Sequence, residues 1–277
     1  MSILEINGRW IQRGVSKNRF LYKYMDPKKH YHMDSLKKKE IFLSAKKTLN
    51  DKSEFFTQEI TIKNVSQYLS RFFGIDWFVI LNNPIYRSIL NETYYYFCSV
   101  KKIQESYGIY SMTSDPRSDS MWAHYGNNHK GFCLIISCQP TWDGIVKVKY
   151  SNSSPSITDM PCGIHPLLHT DGFLYQGLIT KRLSWAYEKE YRLINTTIGT
   201  GGKSMPIANI STTPNPMRIC GVILGCDMDR DDEEMVISYM DEYDLIFKCH
   251  PPSGKYGRLK VYKKDKSKKI YRRWYMY

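Results

Sequence analysis

The sequence predicts an α+β fold on a mixed or antiparallel sheet, and three observations predict it. Many short segments alternate or are β-branched, and few helical stretches lie between them, a pattern that argues against a doubly wound parallel sheet. No glycine-rich loop joins a strand to a helix, so neither phosphate-binding fingerprint is present, and Gly199-Thr-Gly-Gly202 reads as a plain loop. Apolar residues make up 42% of the 277-residue chain, enough for a sizeable core in one unit.

The elements follow in chain order. Phe20 to Tyr24 alternates as a short strand. Asp34 to Glu40 reads as a short helix capped by Asp34, and Ile41 to Ser44 as a strand. Val65, Tyr68, Leu69 and Phe72 have helical spacing and open an aromatic-rich helical insert over 64–97. Ile109 to Thr113 is a strand, and Ser118 to His129 a helix capped by Ser118 or Asp119. Gly131 to Ser137 is a buried strand by its β-branched content, and Ile145 to Tyr150 a half-exposed one. Residues 151–166 are Ser/Pro-rich and form a loop, and 173–186 read as helical. Strands follow at Glu190 to Ile194, Ile219 to Leu224 and Leu245 to Lys248, with an acidic helix start at Asp227 to Glu234 between the last two. No internal repeat is visible, so a single catalytic domain over 1–277 is expected.

Charge is unevenly placed. Residues 1–50 carry 12 Lys/Arg against 4 Asp/Glu, and the basic aromatic C-terminal segment 255–277 carries 10 against 1. The middle carries 18 against 22, so the net +13 belongs to the two ends. Basic ends attract polyanions, which points to RNA, DNA or an acidic protein partner. The plain alternative is a solubilising tail. In the tail, Lys263, Lys264, Lys268, Lys269, Arg272, Arg273 and Trp274 interleave cations with aromatics, which suits single-stranded nucleic acid, phosphates meeting cations and bases stacking on rings.

Seven scattered cysteines with no C-x-x-C pair fit reduced thiols, and Cys133 and Cys138 read as core-facing. The first thirty residues hold no signal-peptide-like apolar run, and no stretch reaches the roughly 18 apolar residues of a membrane span. A cytoplasmic protein without membrane contact is expected. No metal site is expected either, since His124 and His129 are not spaced i, i+4.

The most specific constellation is Trp185-Ala-Tyr-Glu-Lys-Glu-Tyr-Arg192. If extended, it places Glu188, Glu190 and Arg192 on one face, with the carboxylates about 7 Å apart. Such a pair costs energy unless it is paired or employed, and Arg192 favours its ionisation. The plain alternative is a solvated strand face with one Arg–Glu pair. A second group joins Ser111 to Ser114 with Met121, Trp122, His124 and Tyr125, whose helical spacing also fits simple core. A third, Lys23 and Tyr24 with His30 and His32, could hold a phosphate or ribose, or could be exposed charge on an edge strand.

Three motif groups occur in order. They are Tyr22-Lys-Tyr24 with Phe42-Leu-Ser44 and Leu49-Asn-Asp51, then Met121-Trp-x-His-Tyr125 through Gly131-Phe-Cys133, then Trp185-x-Tyr-Glu-x-Glu-Tyr-Arg192. Together they resemble a bacterial domain-of-unknown-function family of toxin and phage-defence loci over roughly residues 20–195. That family is similar to mono-ADP-ribosyltransferases, which have a split antiparallel sheet around a nicotinamide dinucleotide cleft. The resemblance implies NAD as a substrate, no metal, and Glu190 as the catalytic residue with Glu188 beside it. It also implies cofactor contacts from Lys23, Tyr24, His30, His32, Ser44, Ser111, Tyr125 and Arg192. The sequence departs from one transferase branch in having Lys23 for its first-strand Arg and in lacking the Ser-Thr-Ser triplet. The implied protein is a toxin that modifies RNA or DNA and is held by an antitoxin. Two other classes stay open: a metal-dependent nuclease using Glu188, Glu190 and Asp119, and a non-enzymatic nucleic-acid-binding module.

Overall fold

The computed structural model describes residues 3–6, 9–12, 19–49, 59–138, 144–159, 175–207, 217–241, 244–250, 260–264 and 271–273. A hairpin of β1 (Ile3–Ile6) and β2 (Arg9–Gln12) precedes β3 (Arg19–Met25), α1 (His30–Lys38) and β4 (Glu40–Leu43). Then come α2 (Ile62–Phe73), α3 (Trp77–Asn82), α4 (Pro84–Gln104), β5 (Gly108–Thr113) and α5 (Asp119–Tyr125). Strands β6 (Phe132–Cys138), β7 (Ile145–Lys147), β8 (Lys149–Ser151), β9 (Thr180–Arg182) and β10 (Glu190–Asn195) follow. The rest is β11 (Lys203–Pro206), β12 (Met217–Leu224), α6 (Arg230–Ser238), β13 (Leu245–His250), β14 (Lys260–Lys264) and β15 (Tyr271–Arg273).

The fold is α+β, as the strand-rich pattern predicts. One sheet runs β13-β12-β6-β3-β5-β10-β7, extended past β13 by β14 and β15. Only β12 and β13 pair in parallel within it. Period-two alternation explains its burial on both faces. In β6, Leu134 and Ile136 join a core with Leu21, Leu36 and Val236, while Cys133 and Ile135 join one with Tyr22, Tyr24 and Trp122. Helices α1 and α6 supply the first core and α5 the second, so β6 reads as a continuous apolar run. Cys133 and Cys138 are buried, as expected.

The sheet opens at one seam. Strands β3 and β6 pair along seven residues, but β3 meets β5 only at Tyr22 and Thr113. Beyond that pair the two strands part, and Lys23 Nζ crosses to donate to the Ser111 carbonyl at 2.8 Å.

The helical reading of 64–97 corresponds to α2, α3 and α4. Thr61 and Asn64 form a reciprocal capping box at α2, and Gly74, at φ 67°, closes it. Asn83 caps α4, with Pro84 in the first turn. These helices bury Val65, Leu69, Leu90 and Phe97 in a core of their own.

Four readings need correction. Asp34 lies inside α1, whose N-cap is Lys29, because the chain enters the helix directly from the turn after β3. The single strand expected over 145–150 is two, since β7 pairs with β10 while β8 turns to pair in parallel with β9. The helix expected over 173–186 covers 175–179 of the described residues, then gives way to β9 and a 3-10 turn, Leu183–Glu188. Consequently Glu188 is not on an extended strand. Lys189, in the left-handed conformation at φ 46°, turns the chain between it and Glu190. Among the described residues, no helix is long and apolar enough to cross a membrane.

Candidate active site

Strand β10 begins at Glu190 and lies between β5 and β7, facing Thr113 with Glu190 and Ser111 with Arg192. Its alternation sends Glu190 and Arg192 to the same buried side, and the two side chains meet. Arg192 Nε donates to Glu190 Oε1 at 2.7 Å and an Arg192 terminal nitrogen to Oε2 at 3.0 Å. The other terminal nitrogen donates to the Leu178 carbonyl at 2.6 Å, so the guanidinium is fully enclosed.

The turn at Lys189 brings Glu188 back beside Glu190. Lys181 Nζ joins them, donating to Glu188 Oε2 at 2.6 Å and to Glu190 Oε2 at 3.2 Å. Tyr125 Oη, from the end of α5, donates to Glu188 Oε1 at 2.6 Å. The Glu190 amide donates to Tyr150 Oη at 2.8 Å. Glu188, Glu190 and Lys181 are 4%, 3% and 6% exposed. Two carboxylates thus face two cations in a buried cluster, and removing one partner of such a set costs about 3–5 kcal/mol.

Burial opposes the Glu190 charge, but Arg192 and Lys181, with a hydrogen bond from Ser111, outweigh it and hold Glu190 down to about 2. Glu190 is therefore ionised throughout the physiological range and is a weak base. Burial lowers Lys23 below the ordinary lysine value, with Glu190 and Glu188 opposing. Burial and Lys23 lower His32 to about 4, so its ring is neutral at pH 7. His32 Nδ1 lies 2.9 Å from the Asp26 amide and 3.1 Å from the Asp26 carbonyl, so it accepts from the first or donates to the second according to the tautomer.

A cavity of about 530 Å³ lies against this cluster, where β3 and β5 part. Glu188, Glu190, Lys23, His32, Ser111 and Tyr125 line it, as do Tyr24 and Ser44. Tyr24 is also structural, with its ring edge-on to Trp122 and its hydroxyl donating to the Asp115 carbonyl at 3.0 Å. Ser44 bridges by its backbone to Ile109. Arg192 and His30 do not line the cavity. Arg192 stands behind Glu190, and His30 is exposed at the first turn of α1 against Tyr31, so neither is brought to the cavity with the other residues expected at a cofactor. Lys263, Lys264, Arg272 and Arg273 fall on β14 and β15, whose side chains lie outside the description, and Lys268, Lys269 and Trp274 lie outside the described residues.

Sequence reasoning missed Lys181, the cation between the two carboxylates. Its signal was weak, a lysine seven residues before Glu188 in a stretch of helical appearance. It also left His124 without a role. His124 Nδ1 lies 3.1 Å from Tyr187 Oη, beside Trp185, whose ring lies under Lys181 Nζ.

The model of one protein family, described as a protein of unknown function (DUF2971), matches residues 121–193. The matched stretch runs from α5 to β10 and includes Tyr125, Lys181, Glu188, Glu190 and Arg192. The expected likeness to a domain of unknown function thus holds over that stretch. No curated protein and no solved structure matches the chain.

Proposed function

We propose that the protein is a mono-ADP-ribosyltransferase that moves ADP-ribose from NAD to a nucleic acid, RNA in preference to DNA. The observation that carries this reading is Glu190, bonded to Arg192 and Lys181, at the wall of a cavity set in a split between β3 and β5. A carboxylate at about 2 is a poor base that stays charged, with Arg192 and Lys181 balancing it at rest. That suits a reaction in which positive charge develops and no proton needs to be taken at that atom. When the glycosidic bond of NAD breaks, its electron pair leaves with neutral nicotinamide and the ribose becomes oxocarbenium-like. Glu190 stabilises that cation. The acceptor then bonds to the anomeric carbon and gives up a proton, which Glu188, linked to Tyr125, is placed to receive.

The cavity volume falls within the roughly 300–1,000 Å³ of small-molecule sites. Its walls offer aromatic faces from Tyr22, Tyr31, Phe42 and Tyr110, and the neutral His32 ring. A magnesium nuclease would need its cation where the Lys181 ammonium sits between the carboxylates, which disfavours that reading. The basic ends support a polyanionic acceptor, and an antitoxin that covers a toxin of phage defence would meet the same charge.

The test is incubation of the full chain with labelled NAD and RNA. Label should move to RNA with wild type and be lost with Glu190→Gln. Equal labelling by Glu190→Gln would sink the proposal, and strand cleavage abolished by chelator would replace it with the nuclease reading.

A further inference from the structure

Strands β8 and β9 form a separate parallel pair, with Tyr150 opposite Lys181 and Ser151 opposite Arg182. Residues at the carboxyl ends of these two strands and just past them, among them Ser151 to Ser154, Arg182 and Ser184, border a crevice. The crevice holds a second cavity of about 450 Å³. Its lining is four serines, a threonine, an asparagine, Lys181 and Arg182. Every lining side chain can donate a hydrogen bond, and none carries an acid. The cavity at the carboxylates, by contrast, contains both Glu188 and Glu190.

We infer that this second cavity is a phosphate subsite that holds a phosphodiester of a single-stranded nucleic acid. The inference deepens the transferase reading and rests on it for the identity of the strand as acceptor. Donors without acids select an anion, and phosphate oxygens accept from hydroxyls and guanidinium alike. Arg182 is exposed, so its guanidinium is accessible to a strand crossing the surface. Ser151 and Ser153 already hold each other, with Oγ atoms 3.0 Å apart and the Ser153 amide donating to Ser151 Oγ at 3.1 Å, which fixes that wall of the crevice. Lys181 lines both cavities, so a phosphate held in the second lies across that one residue from the paired carboxylates. A strand anchored there presents its neighbouring nucleotide to Glu188.

The test is binding of a dye-labelled single-stranded RNA oligonucleotide to the full chain, read by anisotropy over a salt series without turnover. Arg182→Gln should reduce the slope of log K against log salt by about 0.7, the value for one lost phosphate contact on a single strand. Arg182→Lys should restore the slope, and Ser153→Asp, which puts an acid into the crevice, should weaken binding. Inorganic phosphate should compete with the oligonucleotide in wild type and less in Arg182→Gln. An unchanged slope in Arg182→Gln overturns the subsite even if RNA is labelled from NAD, and the transferase reading then stands alone. A reduced slope without label transfer keeps the subsite and removes the transferase. If Arg182→Gln loses affinity for NAD instead of RNA, the cavity belongs to the dinucleotide and the assignment is wrong.

Discussion

Replacing Arg192 with Met probes the cluster at its most buried point. The guanidinium makes two hydrogen bonds to Glu190 and one to the Leu178 carbonyl, with no exposure to solvent. Met roughly fills the volume of the stem but leaves Glu190 with Lys181 and Ser111 as its remaining charge-stabilising partners. Losing one member of a buried ion set costs about 3–5 kcal/mol. At about 2–4 °C per kcal/mol for larger domains, the melting temperature should fall by about 6–20 °C. The pH dependence gives a second readout. Glu190 sits at about 2 in the folded protein against an ordinary 4.5, so its contribution to stability is full above 4.5 and lost as pH falls through about 2. In Arg192→Met burial is less opposed, and the acid limb of the stability curve should move up in pH. Thermal denaturation of both proteins between pH 2 and 8 measures each effect. A melting temperature within 2 °C of wild type, with the same acid limb, would refute the reasoning.

Further expectations follow from the same geometry. Lys181→Met leaves two carboxylates side by side, so one should titrate above its ordinary range and the variant should regain stability relative to wild type on acidification; parallel pH profiles in urea denaturation would argue against this. Tyr125→Phe removes the hydroxyl that donates to Glu188 Oε1 and should cost about 0.5–1.5 kcal/mol in stability, more if Glu188 is left short of a partner, and should slow label transfer. His32 is lowered to about 4 against an ordinary 6.5, so its contribution to stability is full above 6.5 and lost as pH falls through about 4. His32→Asn should flatten the stability profile between those values, as measured by denaturant midpoints. Gly225→Ala would place a Cβ 2.0 Å from the His129 carbonyl and 2.7 Å from that of Gly131, and should destabilise by at least about 1–3 kcal/mol; a normal melting curve would show that the backbone can move aside.

The strands were legible because their periodicity is local. Apolar β6 read as buried, β12 read as a strand, and the insert showed in the helical spacing of Val65, Tyr68, Leu69 and Phe72. The region before Glu190 was not legible, for a physical reason. Strand β9 is three residues long and exists because β8 pairs with it, a contact some thirty residues away that no local pattern records. With β9 hidden, Lys181 looked like one more lysine on a helix. The convergence of Glu188 and Glu190 was expected from an extended strand, but it comes from a 3-10 turn and the left-handed Lys189, so the pair was found and its geometry missed. Lys23, Ser111 and Tyr125 stood out in separate groups and took cofactor roles through the family resemblance, and the gathering of all three at one cavity depends on the parting of β3 from β5, which sequence does not display.

The central claim is that Glu190 acts on the ribose of NAD to transfer ADP-ribose to a polynucleotide. Intact-mass measurement of RNA, DNA and protein after incubation of the full chain with NAD tests it most directly. The account predicts a gain of one ADP-ribose on RNA, absent with Glu190→Gln. Unchanged masses of all three, or the same gain with Glu190→Gln, would contradict it.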